Sequence, residues 1–527
     1  MHSLLPVLWQ LALQASRLAA HATLLRTAAM LCALALGGCA SLPHSVPRAA
    51  STAPVDVAWT ALAGIAAAAK PEAARGLTGV RLLPDGGEAF AARLALIRRA
   101  ELSLDVQYYL IASDRTGLQF LAALSEAAAR GVRVRALVDD LNATGQDALF
   151  AGLARQAGFE LRLFNPLPAR RGGFVARFAL SLHEFSRINR RMHSKVLIAD
   201  NSFAILGGRN IADEYFDRSG SAGFIDMDLL VSGPVVPALS ASFDAFWNSA
   251  HAYPVASLAA EAAPLPRAAA AATTNEPVQA TGDDIEAEFA AGQVTRHFAP
   301  ASVLADGIAQ IEATAPDRPD SMVMSAHLGL LRSARSSALV ATPYFVPSPG
   351  GLAALHEARA RDVRLVVMTN SLSTTDEPLA HFGYARYRTG LLRIGVALHE
   401  LMASGESKGR GDAEAGTWPR SLGRLHAKLL VVDERWVSIG SMNMDRRSAR
   451  CNSETALLVD SPALAAEVGH FLARGRLAGS YRLRLADDGK RIEWLEGGAA
   501  LRREPQPAVR PRVGPRLASF LVSEDWL

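Results

Sequence analysis

The feature that most restricts how this chain can fold is a motif written twice. His193-x-Lys195 is followed after four residues by Asp200, and after six more by Gly207-Gly208-Arg209-Asn210. His426-x-Lys428 is followed at the same spacing by Asp433 and by Gly440-Ser441-Met442-Asn443. In each copy an acidic residue then opens an apolar run: Asp226 before Met-Asp-Leu-Leu-Val, Glu454 before Thr-Ala-Leu-Leu-Val. The surroundings repeat as well. Helical periodicity over 89–100, strand alternation over 102–109, a helix over 118–130 and strands over 132–138 and 160–164 are matched by a helix over 322–336, a strand over 338–345, a helix over 352–360 and strands over 363–368 and 396–401. Strands alternating with helices in two matching sets predict an α/β protein of two pseudo-symmetric lobes, each a mixed β-sheet flanked by helices. The expected boundaries are 57–254 and 297–500, joined by an Ala/Pro-rich insert over 255–296 and followed by an Arg/Pro-rich tail over 501–527.

The spacing carries chemistry. His and Lys two apart on a strand project from one face. The runs Val196-Leu197-Ile198 and Leu429-Leu430-Val431-Val432 are apolar enough to be buried, so Asp200 and Asp433 are expected to end a strand and begin a turn. Gly207-Gly208 and Gly440-Ser441 are small, which lets backbone N–H groups approach an anion, and Asn210 and Asn443 add neutral donors. The chain has 50 Arg and only five Lys, yet two of those five occupy the same place in the two motifs. Against that background a compact ammonium beside a phosphate explains the choice of Lys.

The paired motifs resemble those of the phospholipase D superfamily, and the resemblance spans roughly residues 80–500. The runs Gln107-Tyr108-Tyr109, Gly207 to Phe216 and Thr342-Pro343-Tyr344-Phe345-Val346-Pro347 are similar to those of bacterial cardiolipin synthases of the C-type. The resemblance implies phosphatidyl transfer through a phosphohistidine, with His193 and His426 as nucleophile and acid–base, in an order that the symmetric sequence leaves open. It further implies that Lys195, Lys428, Asn210, Asn443, Gly208 and Ser441 bind phosphate, and that Asp226 and Glu454 fix the imidazole tautomers. Asp200 and Asp433 complete the motifs, with a turn-supporting role expected. Phosphatidylglycerol, with phosphatidylethanolamine as a second candidate, is the expected substrate; water as acceptor would make the enzyme a phospholipase D. An accessory membrane protein is a further candidate partner.

Other readings are constrained by composition. A net charge of +4 argues against nucleic acid as partner. His183, His297, His327 and His381 lack ligand spacing such as H-E-x-x-H, so neither a metal nor another cofactor is expected. Arg187, Arg190 and Arg191 either face anionic headgroups or form a solvated loop; Tyr108 and Tyr344 either line a cleft mouth or pack in the core.

The N-terminus carries an apolar stretch, 27–36, too short to favour a membrane span, ending in Leu36-Gly37-Gly38-Cys39. This resembles a lipoprotein signal over 1–38 with Cys39 as the acylated residue. A Ser/Pro/Ala-rich tether over 39–56 follows, and the resemblance implies a periplasm-facing protein, in the outer rather than the inner membrane. Of Cys32, Cys39 and Cys451, only Cys451 would then remain as a free thiol, which excludes an internal disulfide.

Overall fold

A computed structural model describes residues 41–506, apart from 69, 171, 220–222, 260–261, 266–282, 314–319, 404–422, 474–478 and 497–498. Cys39 and the signal segment lie outside the described residues. Among those described, no helix is long and apolar enough to cross a membrane.

Seven strands form the same order in each lobe. In the first lobe they run Phe159–Phe164, Arg133–Asp139, Ser103–Tyr108, Val196–Ala199, Phe203–Gly207, Asp228–Ser232, Thr78–Leu83. In the second they run Ala397–Leu401, Arg364–Asn370, Ser337–Ala341, Leu429–Val432, Trp436–Gly440, Thr455–Asp460, Ala301–Ala305. The first three strands of each set pair in parallel through helical crossovers, and the rest pair antiparallel. Parallel pairing requires a long connection, and the helices Arg115–Ala129 and Pro349–Ala360 supply it. Both helices start on a side-chain cap, Asp114 to Gly117 N–H and Ser348 to Gly351 N–H.

Each central strand is apolar on both faces. One face packs on its own lobe's helices. The other joins a core shared between lobes, in which Val196, Ile198, Leu206 and Leu229 meet Leu429, Val431, Ile439 and Leu457. Two short parallel ladders sew the lobes together. Arg191–Met192 pairs with Asn452–Ser453, and Arg424–Leu425 pairs with Phe224–Ile225. The two ladders are equivalent under the repeat, and each leads directly into a motif histidine.

Several expectations need correction. His193 and Lys195 precede the strand that begins at Val196, and His426 and Lys428 precede the one that begins at Leu429. The motif pairs therefore sit on irregular backbone at the strand entrance. The strand expected over 338–345 ends at Ala341, because Pro343 cannot donate to a ladder. The tether is docked rather than free: Arg48, Ala49, Ser51 and Thr52 bond to the first lobe, where the Arg135 guanidinium donates to Ser51 O at 2.8 Å and that of Arg162 to Ala49 O at 2.6 Å. The insert's described end belongs to the first lobe. Helix Asp283–Ala290 is tied to it by Arg99–Glu286 and Arg81–Glu288, both at 2.7 Å, and strand His297–Ala299 pairs with Thr78–Leu83. The second sheet starts at Ala301, not 297. The tail's first residues are also structural: Glu504 pairs with Arg388 at 2.7 Å and with His381 at 2.8 Å.

Candidate active site

Both histidines line one cavity of about 530 Å³ at the seam between lobes. The ladders place them there: His193 N–H donates to Ser453 O at 2.9 Å, and His426 N–H to Ile225 O at 2.8 Å. Each imidazole is then gripped by the opposite lobe. His193 Nδ1 lies 2.9 Å from Glu454 Oε2, and His426 Nδ1 lies 2.6 Å from Asp226 Oδ2. A carboxylate at Nδ1 selects the Nδ1–H tautomer and leaves Nε2 as the basic nitrogen. Tyr109 packs edge-on against His193, and Tyr215 against His426, with centroids 4.9 and 5.0 Å apart.

The carboxylates are themselves held. Ser441 Oγ donates to Glu454 Oε2 at 2.5 Å, and Asn452 Nδ2 to Oε1 at 3.2 Å. Gly208 occupies the place of Ser441 in the first repeat, and a Cβ there would meet Asp226 Oδ1 at 2.2 Å. Its lack of a side chain makes room for that carboxylate. The N–H groups of Gly208 and Ser441 donate to Met227 O and Thr455 O, so they extend the sheet edge instead of forming the expected anion nest.

Lys195 and Lys428 are buried beside the histidines and are not part of the cavity wall. Each ammonium donates to the carbonyl of its own motif histidine. Lys428 Nζ also lies 2.9 Å from His426 Nδ1, but that nitrogen donates to Asp226 and has no lone pair left to accept, so the ammonium's hydrogen bond goes to the carbonyl. Asn210 and Asn443 do line the cavity. Asn210 Nδ2 donates to the Tyr215 hydroxyl at 2.9 Å, and the Oδ1 positions of both amides find no protein partner. Amide oxygen and nitrogen are interchangeable by a flip, so either side chain can turn an NH2 toward an anion.

Asp200 and Asp433 are absent from the cavity wall. Asp200 accepts N–H bonds from Glu101, Leu102 and Ser103 at 2.8–3.0 Å, and Asp433 does the same for Arg335, Ser336 and Ser337. Both have positive φ, 48° and 54°, as the tight turn after each strand requires. Arg191 is fully buried against Asp139 at the ladder and faces no headgroup; Arg187 binds Glu184 and Asn165. Tyr108 is core, sharing its hydroxyl with Arg93, whereas Tyr344 lines the cavity with its hydroxyl 2.8 Å from Asp376 Oδ2.

Asn142, Asp376, Glu377, Arg447 and Asn452 also line the wall, and the motif spacing gives no sign of them. Asn142 and Asp376 follow equivalent parallel strands, Arg133–Asp139 and Arg364–Asn370. The carboxyl ends of parallel strands are where such sheets build sites, and that rule was the available signal.

Burial and charge tune the groups in opposite directions. Burial, with Lys195, Lys428 and His426 nearby, pushes the His193 imidazole well below the usual range, so it is neutral at pH 7. Burial also lowers His426, and Lys428 adds to that, but Asp226 opposes it. The ammoniums fall too, Lys195 to about 7 and Lys428 to about 8, chiefly by burial. The two acids diverge. Burial raises Glu454 to about 7 despite Lys195 and Ser441. Burial acts the same way on Asp226, but His426, Lys428 and Arg209 outweigh it and hold that carboxyl below its usual range.

Paired imidazoles, each oriented by a carboxylate of the other repeat and backed by a buried ammonium, define a two-lobed phosphodiester-processing enzyme of the phospholipase D type. A family model described as "Cardiolipin synthase, PLD-like domain" matches residues 94–247 and 328–474. Cardiolipin synthase C of Escherichia coli is 33% identical over 457 residues, covering 84% of this chain and 94% of the relative. An uncharacterized protein of Helicobacter pylori is 30% identical over 82% and 86%, and cardiolipin synthase A of Pseudomonas fluorescens is 28% identical over 75% and 67%. The chain belongs to the phospholipase D-like cardiolipin synthase family and is a phosphatidyltransferase.

Proposed function

We propose that the chain is a cardiolipin synthase that moves the phosphatidyl group of one phosphatidylglycerol onto a glycerol hydroxyl of another. The observation that carries the transfer chemistry is the crossed pairing of the two histidines in one cavity. The acceptor is inferred from the similarity to cardiolipin synthase C, which covers 84% of this chain and 94% of the relative.

His193 Nε2 attacks phosphorus, and the bond from phosphorus to the headgroup glycerol oxygen breaks. His426 gives that oxygen its proton, so glycerol leaves and a phosphatidyl-His193 remains. The acceptor hydroxyl then loses its proton to His426 and attacks phosphorus, and the P–N bond breaks. The neutral His193 suits the nucleophile, and the ionised Asp226 stabilises the imidazolium form that His426 needs as acid. Charge on the phosphoryl oxygens is offset by Lys195 and Lys428, whose ammoniums lie close behind the imidazoles, and by the amides of Asn210 and Asn443. An incoming anion raises the pKa of both lysines and keeps them protonated.

The test uses phosphatidylglycerol labelled in its phosphate, with and without phosphatidylethanolamine. Cardiolipin and free glycerol are expected from phosphatidylglycerol alone; phosphatidic acid as the sole product overturns the synthase reading in favour of hydrolysis. Label on the protein that is lost in acid and retained in base is expected for the phosphohistidine and should vanish in His193→Ala.

For location we propose a lipid anchor at Cys39 and a body facing the periplasm, at the outer membrane. The support is the Leu36-Gly37-Gly38-Cys39 sequence. Incorporation of labelled palmitate by the unmodified chain and its loss in Cys39→Ser, with density-gradient fractionation of the envelope, tests both statements.

A further inference from the structure

The helix Phe174–Leu180 is built inside out. Its polar residues Arg177 and Ser181 (the residue just past its end) face the protein: Arg177 is buried and paired with Asp147, and Ser181 Oγ donates to Arg177 O at 2.7 Å. Its apolar residues face outward except Phe178, which is half-buried. Val175 is 79% exposed, Phe174 45%, Leu180 39% and the following Leu182 50%. These four are half of the large hydrophobic side chains found exposed among the described residues, and they fall within nine consecutive positions. A helix beside water turns its apolar stripe inward, so the reversed pattern marks a surface that meets something apolar.

Position and charge say what that is. Arg170 and Arg177 fasten this segment to the turn at Asp140 and Asp147, with Arg170 to Asp140 at 2.6 Å, and the same turn supplies Asn142 to the active-site wall. At its other end the segment runs through Arg191–Met192 into His193. The segment that carries the apolar face is therefore joined on both sides to elements that line the catalytic cavity, through Asn142 and through His193. Residues 168–192 contain six Arg and a single acid, Glu184; even with Asp139, Asp140 and Asp147 as partners, six positive charges stand against four negative ones.

We propose that residues 174–182 seat in the interface of an anionic phospholipid bilayer and set the cavity against it. The segment's length allows a shallow seat among headgroups and upper acyl chains, not a span. Apolar side chains enter the acyl boundary while the net positive charge of the 168–192 stretch draws it toward an anionic surface. The proposal rests on the reading that the substrate is a bilayer phospholipid, and it adds that the enzyme reaches its substrate through this face independently of any anchor at Cys39.

Val175→Trp in the full chain tests the seat directly. Mixed with phosphatidylglycerol vesicles carrying brominated acyl chains, the added emission should shift to the blue, be quenched by bromine and be shielded from acrylamide. Persistent acrylamide quenching without bromine quenching overturns the proposal. So does equal quenching in phosphatidylcholine vesicles, which removes the anionic preference. Val175→Asp, at a solvent-exposed position, should lower turnover of vesicle phosphatidylglycerol at least tenfold while changing turnover of monomeric dihexanoyl phosphatidylglycerol less than twofold. Equal loss on both substrates overturns the proposal, as does a dimer that Val175→Asp converts to monomer. If the unmodified protein turns over neither lipid, the phosphatidyltransfer reading fails, whereas the Trp signal still decides the bilayer seat.

Discussion

His193, on the first lobe, is oriented by Glu454, on the second, across a 2.9 Å contact between Nδ1 and Oε2. The converse contact joins His426 to Asp226. Neither repeat contains a complete histidine–carboxylate pair, so the active unit is the docked pair of lobes. The ladders at Arg191–Met192 and Arg424–Leu425 hold that arrangement, because each feeds its histidine into the other lobe's carboxylate.

Removing either carboxylate's charge should therefore reduce catalysis without unfolding the protein. Glu454→Gln and Asp226→Asn are expected to lower kcat by about 10–100-fold, the usual effect of losing a partner that orients an imidazole. Asp226→Asn should be the more damaging, since Asp226 is held ionised beside His426 whereas burial raises Glu454 to about 7. Steady-state rates on phosphatidylglycerol, with circular dichroism as the folding control, check the order; a larger loss in Glu454→Gln would reverse the assignment of His193 and His426.

The rate should decline on the alkaline side at an unusually low pH. In the free enzyme Lys195 titrates near 7 and Lys428 near 8. As pH rises through these values the ammoniums lose the charge that offsets the phosphate, so kcat/KM should fall between about pH 7 and 9. Lys195→Arg keeps its charge and should start from a lower plateau with a flatter alkaline limb. A profile level from pH 7 to 9 in the unmodified enzyme would contradict this.

Gly208→Ala is expected to inactivate through crowding. Its Cβ would stand 2.2 Å from Asp226 Oδ1, so the carboxylate must leave its place beside His426. A fall in kcat of at least about tenfold, with little change in KM, is expected for a lost positioning contact. Gly64→Ala, where an added Cβ meets nothing within 4 Å, is the matched control.

Asp200→Ala should act on stability. It removes three N–H acceptor contacts and places Ala at φ 48°, with an expected loss of about 2–4 kcal/mol. Urea denaturation should show a lowered midpoint, while the folded fraction keeps its turnover per molecule. A loss of kcat at full folding would return Asp200 to the catalytic group.

Much of the fold was legible because alternation and periodicity are local. The repeated strands beside the motifs follow from apolar runs such as Val196-Leu197-Ile198 and Leu429-Leu430-Val431, whereas the edge strands Thr78–Leu83 and Ala301–Ala305 carry no such signal; the motif spacing marks His193, His426, Asn210 and Asn443 as cavity residues. What was misjudged depended on partners distant in sequence. The 41–56 stretch reads as a tether by composition, yet buried Arg135 and Arg162 need carbonyl acceptors and find them there. Gly208 reads as an anion nest, yet its neighbour Asp226 needs the space. Arg191 reads as a headgroup contact or a solvated loop residue, yet it is buried at the ladder, where Asp139 neutralises it.

The amino-acid order alone determined that there are two equivalent halves and which residue types each brings to phosphoryl chemistry, since both are properties of spacing along the chain. Only the tertiary structure decided which carboxylate serves which histidine, where the lysines lie and which apolar side chains stay in the open. Those are outcomes of two sheets packing through one shared core, and packing between distant segments has no local signature.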